Sequence, residues 1–155
     1  MESNSKKINE FLIRKNIAIA GVSRDPKKGT GIFIYNKFKD AGYNVFAVNP
    51  YADEINGVKC YRNVKSIPEK IDAVFTVTHP NTSLAISKEC AEAGIKMLWF
   101  HRFVGQGSYS AEAEEFCKEN NIDVITSGCP VMYLRPVDFA HKCFKFFLNI
   151  SGKLK

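Results

Sequence analysis

The chain has 155 residues, 45% hydrophobic and 25% charged. That balance gives one domain of ordinary size and excludes a disordered chain, which would lack the apolar surface to offset ordering entropy. The formal charge of +6 suits an anionic partner, yet the lysines and arginines are spread without a run of three, so a solvated basic surface accounts for most of it.

No apolar run approaches the roughly 18 residues needed to cross a bilayer, and the polar start MESNSKKINEFLIRK predicts no signal peptide. No helix-turn-helix, zinc-finger or RNP aromatic pattern points to nucleic acid. The expectation is a cytoplasmic protein without membrane or nucleic-acid partners. Cysteines 60, 90, 117, 129 and 143 are odd in number, scattered and without a CxxC pair, which predicts reduced thiols that behave as small buried hydrophobes. The histidines at 79, 101 and 141 have no metal-ligand spacing.

In chain order, Ile8, Phe11 and Leu12 make one apolar helical face. A strand follows at 17–22 (IAIAGV), then a helix with Ile34, Phe38 and Ala41 on one side, and a strand at 44–48. Further strands are expected at 72–78, 96–100 and 122–126. The helices between them carry Ile86, Cys90 and Ala93, and then Ala113, Phe116 and Cys117. Asp40-Ala41-Gly42, Glu92-Ala93-Gly94 and Glu119-Asn120-Asn121 each precede an apolar run. Gly and Asn accept the left-handed conformation that closes a helix, so each reads as helix end followed by strand. A last helical face holds Phe139, Cys143, Phe146, Phe147 and Ile150. It either packs on the sheet or forms the seam of a homodimer.

Alternation of helix with five strands apolar on both faces predicts an α/β fold: a doubly wound, mostly parallel five-stranded sheet with helices on both faces, in the default order 3-2-1-4-5. One domain is expected over 1–155, with a core of 15–132 and helical additions at both ends.

Such sheets bind ligands beyond the carboxyl ends of their strands. The first turn there is Gly21-Val22-Ser23-Arg24-Asp25-Pro26-Lys27-Lys28-Gly29-Thr30-Gly31. Gly21 lets a ligand approach the backbone, Ser23 offers a hydroxyl, and Arg24 a planar cation for two phosphate oxygens. Lys27 and Lys28 add charge, and the following helix begins with N–H groups able to bind an anion. The turn is therefore a candidate diphosphate cradle. It lacks the Lys-Ser/Thr pair of a P-loop and the second glycine of G-x-G-x-x-G. The second strand ends in Asn49-Pro50 where an NAD-binding unit carries an acid for the ribose. An adenine base fits against Val48, Pro50 and Tyr51.

Taken together, Ile17-Ala18-Ile19-Ala20-Gly21-Val22-Ser23-Arg24, Gly42-Tyr43 before Val45-Phe46-Ala47-Val48-Asn49-Pro50, and Ile55-Asn56-Gly57-Val58-Lys59-Cys60-Tyr61 resemble the small CoA-binding proteins related to the nucleotide-binding domain of the succinyl-CoA synthetase α subunit. Ile67-Pro68, Ile71-Asp72-Ala73-Val74, Leu98-Trp99-Phe100 and Cys129-Pro130 extend the resemblance. It implies a Rossmann-like domain that binds coenzyme A or acyl-CoA. Gly21 to Arg24 would hold the diphosphate, Asn49 and Pro50 would flank the adenosine, and Thr78, His79 and Pro80 would line the adenosine or pantetheine side. CoA's additional 3′-phosphate gives Arg24, Lys27 and Lys28 a reason to be basic.

The segment Phe100-His101-Arg102-Phe103-Val104-Gly105-Gln106-Gly107-Ser108 is longer and more basic than the family's short glycine turn. His101 and His79 both follow strands at the expected ligand edge, where an imidazole is able to act as acid or base, and His101 beside Arg102 is also placed for an anionic group. The chain has no room for the phosphohistidine and nucleotide-grasp domains of the synthetases. The expectation is a non-catalytic or regulatory CoA-binding module, with an NAD(P)-binding oxidoreductase or redox sensor as the alternative.

Overall fold

The computed structural model describes residues 4–25, 29–103 and 105–134, together with Cys143, Phe146 and Ile150. After its first residue the segment NIAIA carries only apolar side chains, and all four are buried. It therefore takes the interior of a sheet as strand β1 (Asn16–Ala20), flanked in parallel by β2 (Asn44–Val48) and β5 (Ala73–Thr76). Beyond β5 lie β6 (Met97–Phe100) and β7 (Asp123–Ile125), also parallel. Beyond β2 lies β4 (Val58–Tyr61), in register Ala47 with Cys60 and Val48 with Tyr61. The edge is β3 (Glu54–Ile55), antiparallel to β4. The helices are α1 (Asn4–Leu12), α2 (Thr30–Asp40), α3 (Pro80–Glu92) and α4 (Ala111–Glu119). Among the described residues no helix is long and apolar enough to cross a membrane.

The sheet has seven strands in the order β3-β4-β2-β1-β5-β6-β7, not five. The default order 3-2-1-4-5 is correct only once β4 is counted as the third strand. As applied to the five expected strands it misplaces 72–78, which pairs with β1 and not with β2. The pair outside the five-strand count covers the Ile55 to Tyr61 segment, where the resembled family has a short Gly-centred strand, and is a hairpin closed by Asn56 and Gly57, both with positive φ (51° and 77°), the backbone of a two-residue hairpin turn. The expected strands 17–22 and 72–78 also overrun. β1 ends where Gly21 turns to φ 101°, and β5 ends at Thr76.

Period-two alternation sorts the core into two layers. Ile17, Ile19, Phe75, Met97 and Trp99 face α1 and α2, through Ile8, Phe11, Ile34 and Phe38. Ala18, Ala20, Val74, Leu98 and Phe100 face α3 and α4, through Ile86, Cys90, Ala113 and Cys117. Each large side chain so buried contributes about 1.5–3 kcal/mol. Trp99 anchors the first layer. Phe11 and Phe75 meet its ring edge-on at 5.2 and 5.8 Å, and its indole N–H donates to the Ser127 carbonyl at 3.0 Å. Gly42, Gly94 and Asn121 all take positive φ after their helices, as expected from the sequence. Ala41 and Ala93 close α2 and α3 as exposed caps and do not extend their buried faces. Cys60, Cys90, Cys117 and Cys129 are buried thiols, and burial pushes the first three above the ordinary thiol range. Of the C-terminal apolar face, Phe139 and Phe147 lie outside the described residues.

Candidate functional site

The turn after β1 is shaped by two glycines that leave no room for a side chain. A Cβ on Gly21 would stand 2.6 Å from the Val77 carbonyl oxygen, and one on Gly31 would stand 2.5 Å from the Gly21 oxygen and 2.9 Å from Val22 Cα. Gly31 therefore brings the first turn of α2 against the exit of β1. That is the close helix–strand packing a dinucleotide fingerprint assigns to its third glycine, achieved here at a different spacing. The Ser23 hydroxyl oxygen accepts from Asp25 N–H at 3.1 Å, bracing the turn.

Asn49 fixes the neighbouring strand end. Its amide nitrogen donates to the Val22 carbonyl at 2.6 Å, and its amide oxygen accepts from Tyr51 N–H at 2.7 Å. One side chain thus ties β2 to the turn after β1. The task needs a donor and an acceptor together, which an amide has and a carboxylate lacks.

These strand ends enclose a cavity of about 400 Å3. Gly21, Val22, Ser23, Asn49, Pro50, Tyr51, Thr78 and His79 all line it, so eight of the expected site residues converge. Arg24 is exposed in the same turn and is not among the lining residues. Lys28 and Lys27 lie outside the described residues. Pro80 is the first residue of α3 and, unlike its neighbours Thr78 and His79, is not among the lining residues. His79 caps that helix: its Nδ1 accepts from Asn81 N–H at 3.3 Å. Thr78 is buttressed through its carbonyl, which accepts from the Ser108 hydroxyl at 2.8 Å, and its own hydroxyl is buried without a hydrogen-bond partner.

Two charged lining residues were not anticipated. Arg62 follows β4. Its guanidinium donates from Nε and one terminal nitrogen to Asp53 Oδ1 at 3.2 and 3.0 Å, and from the other to the Pro50 carbonyl at 3.0 Å. Three of five N–H groups are so used, and the residue lines the cavity. Glu89 enters from α3, with Ile86 beside it on the wall.

His101 does not join this cavity. It lines a second one, also about 400 Å3, with Gly29, Thr30, Phe33, Ile34, Phe103 and Cys129. The imidazole meets Phe75 edge-on at 5.8 Å, and burial lowers its pKa from the ordinary 6.5, so it is neutral at pH 7. Arg102 turns to its own loop. Its Nε donates to the Gly105 carbonyl at 3.1 Å and its guanidinium stacks 4.8 Å from the Tyr109 ring centre. Among the described residues no group of three or more His, Cys, Asp or Glu side chains is placed to hold a metal ion.

The site consists of a glycine-lined turn at a helix N-terminus, an adjoining cavity with apolar and polar walls, and a second cavity across the sheet edge. The chain is similar to several known proteins. An ADP-forming acetate–CoA ligase of Methanocaldococcus jannaschii is 31% identical over 119 residues, 74% of this chain; the chain spans only 17% of that enzyme. An uncharacterised Bacillus subtilis protein, YneT, is 33% identical over 83% of the chain and 93% of its own length. A conserved hypothetical protein of Pyrococcus furiosus superposes with TM-score 0.66 at 36% identity, covering 74% of this chain and 95% of that one. The CoA binding domain family matches residues 15–135, and the chain belongs to that family.

Proposed function

We propose that this protein binds coenzyme A or an acyl-CoA in the crevice at the carboxyl edge of its sheet, as a carrier or regulatory module without catalysis of its own. The whole chain is taken as one such domain, with its core at 15–132. The observation that carries the reading is the convergence of eight expected residues on one cavity beside the Gly21 turn. Gly21 to Ser23 present backbone and hydroxyl to the diphosphate, and Arg24 meets it from the rim. Asn49 shapes the adenosine wall, and Pro50, Tyr51, Thr78 and His79 complete it. The pantetheine arm runs over the sheet edge towards His101, whose neutral imidazole suits an uncharged thiol or thioester.

Thermal unfolding with added ligand tests this. Ligand at about 100 times its Kd adds roughly 2.7 kcal/mol, which raises Tm of a domain this size by roughly 5–10 °C. The expected result is such a rise with CoA, a smaller one with dephospho-CoA and little with NAD. Absence of a rise with CoA, or an equal rise with NAD, would overturn the proposal.

A further inference from the structure

We infer that Glu89, a carboxylate that lines the cavity from α3, is the acceptor by which this site selects a 6-aminopurine nucleotide. The inference rests on the CoA reading and adds base selectivity to it.

The amide of Asn49 is committed to Val22 and Tyr51, and the end of β2 carries no carboxylate. Among the described residues that line the cavity, Glu89 is the one carboxylate. A carboxylate is out of place in a pocket built only for phosphates, because it repels them. Its position removes the conflict. The phosphate turn abuts the start of α3, where a Cβ on Gly21 would meet Val77 and Thr78. Glu89 lies seven residues beyond Thr82 on the same helix, about 10 Å further along its axis at 1.5 Å per residue. That separation is of the order of a nucleoside's length. Between the two ends the wall is apolar, with Val48 and Ile86, as a flat base requires.

The carboxylate is also held in place. Val64 N–H donates to Glu89 Oε2 at 3.1 Å, and a carboxylate has about four acceptor positions, so acceptor capacity remains for a ligand. Adenine carries an amino donor at C6, whereas guanine and hypoxanthine carry a carbonyl oxygen there. Set against the C6 substituent, Glu89 accepts from the amino group and repels the carbonyl oxygen, and a 6-oxopurine reaches it only by turning its N1–H towards the carboxylate.

The test compares binding of CoA with binding of its deaminated, hypoxanthine-bearing counterpart by calorimetry, for the unaltered protein and for Glu89→Gln. Gln keeps an acceptor for Val64 N–H, so a purely structural role predicts no change in base preference. The expected result is a preference for CoA of about tenfold or more in the unaltered protein, falling towards parity in Glu89→Gln, because an amide can also donate to a carbonyl. Equal binding of the two ligands to the unaltered protein, which needs no variant, overturns the inference, and so does an undiminished preference in Glu89→Gln. Failure of the unaltered protein to bind CoA overturns the CoA reading itself and this inference with it.

Discussion

Replacing Gly31 with alanine tests the turn at its tightest point. The added Cβ meets the Gly21 oxygen at 2.5 Å, Val22 Cα at 2.9 Å and the Gly21 carbonyl carbon at 3.0 Å. All three are backbone atoms, so no flexible side chain can yield. Overpacking of this kind costs about 1–3 kcal/mol. Against it stands the helix propensity of alanine, worth up to about 1 kcal/mol over glycine. Sterics win, leaving a net loss of about 1–2 kcal/mol and a displacement of α2 from the turn. Gly94→Ala is the matched control. Its Cβ meets nothing within 4 Å, but its φ of 71° is left-handed, which costs about 1–2 kcal/mol far from the crevice. Chemical denaturation and calorimetry with CoA should find both variants destabilised to a similar extent, and only Gly31→Ala weakened in CoA binding, by about tenfold or more. A Gly31→Ala protein that matches the parent in stability and affinity, or a Gly94→Ala protein that loses CoA equally, would refute the reasoning.

Asn49→Asp removes the donor to Val22 and sets an oxygen against the carbonyl. The expected cost is about 1–3 kcal/mol, read by denaturation, with CoA affinity reduced further by charge repulsion; unchanged stability would show that the tie is dispensable. The depressed pKa of His101 makes a pH prediction of definite sign. The unfolded chain binds the proton more readily than the folded one, so this contribution is fully present above pH 6.5 and is lost as pH falls through the lower folded value. Tm of the parent should therefore drop more between pH 7 and pH 5 than Tm of His101→Asn; parallel curves would contradict the burial argument.

Most of the fold was legible because strands buried on both faces read as unbroken apolar runs, and β1, β5 and β6 are such runs. The segment Val58–Tyr61 is not. Lys59 faces out while Cys60 is buried, and its partner β3 is two residues long, so apolarity gives little sign of an added edge. Asn56-Gly57 was the available signal, a turn dipeptide that closes hairpins. Leaving that short strand out of the sheet also hid Arg62, which stands immediately past its carboxyl end, where ligand contacts collect. Glu89 had no local signal. It occupies an ordinary polar position of an amphipathic helix, and only the approach of Val64 from a distant segment and the curvature of the cavity give it a role.

The separation of His101 from the cavity beside Gly21 follows from strand parity. Successive side chains of a strand alternate faces. Met97 and Trp99 belong to the layer under α1 and α2, and Leu98 and Phe100 to the layer under α3 and α4. The next residue, His101, returns to the first layer and meets Phe75 of that layer. By the same count Thr76 and Thr78 fall on the α3 side, where Thr78 lines the cavity beside Gly21. Two residues that both follow strands at one edge are thus divided by the sheet itself, and the Gly21 turn crosses between them into α2. On the proposed reading this division is useful. A nucleotide on one face and a reactive end on the other can be joined only by a ligand with a long arm, and the diphosphate at the crossing point fixes where that arm begins.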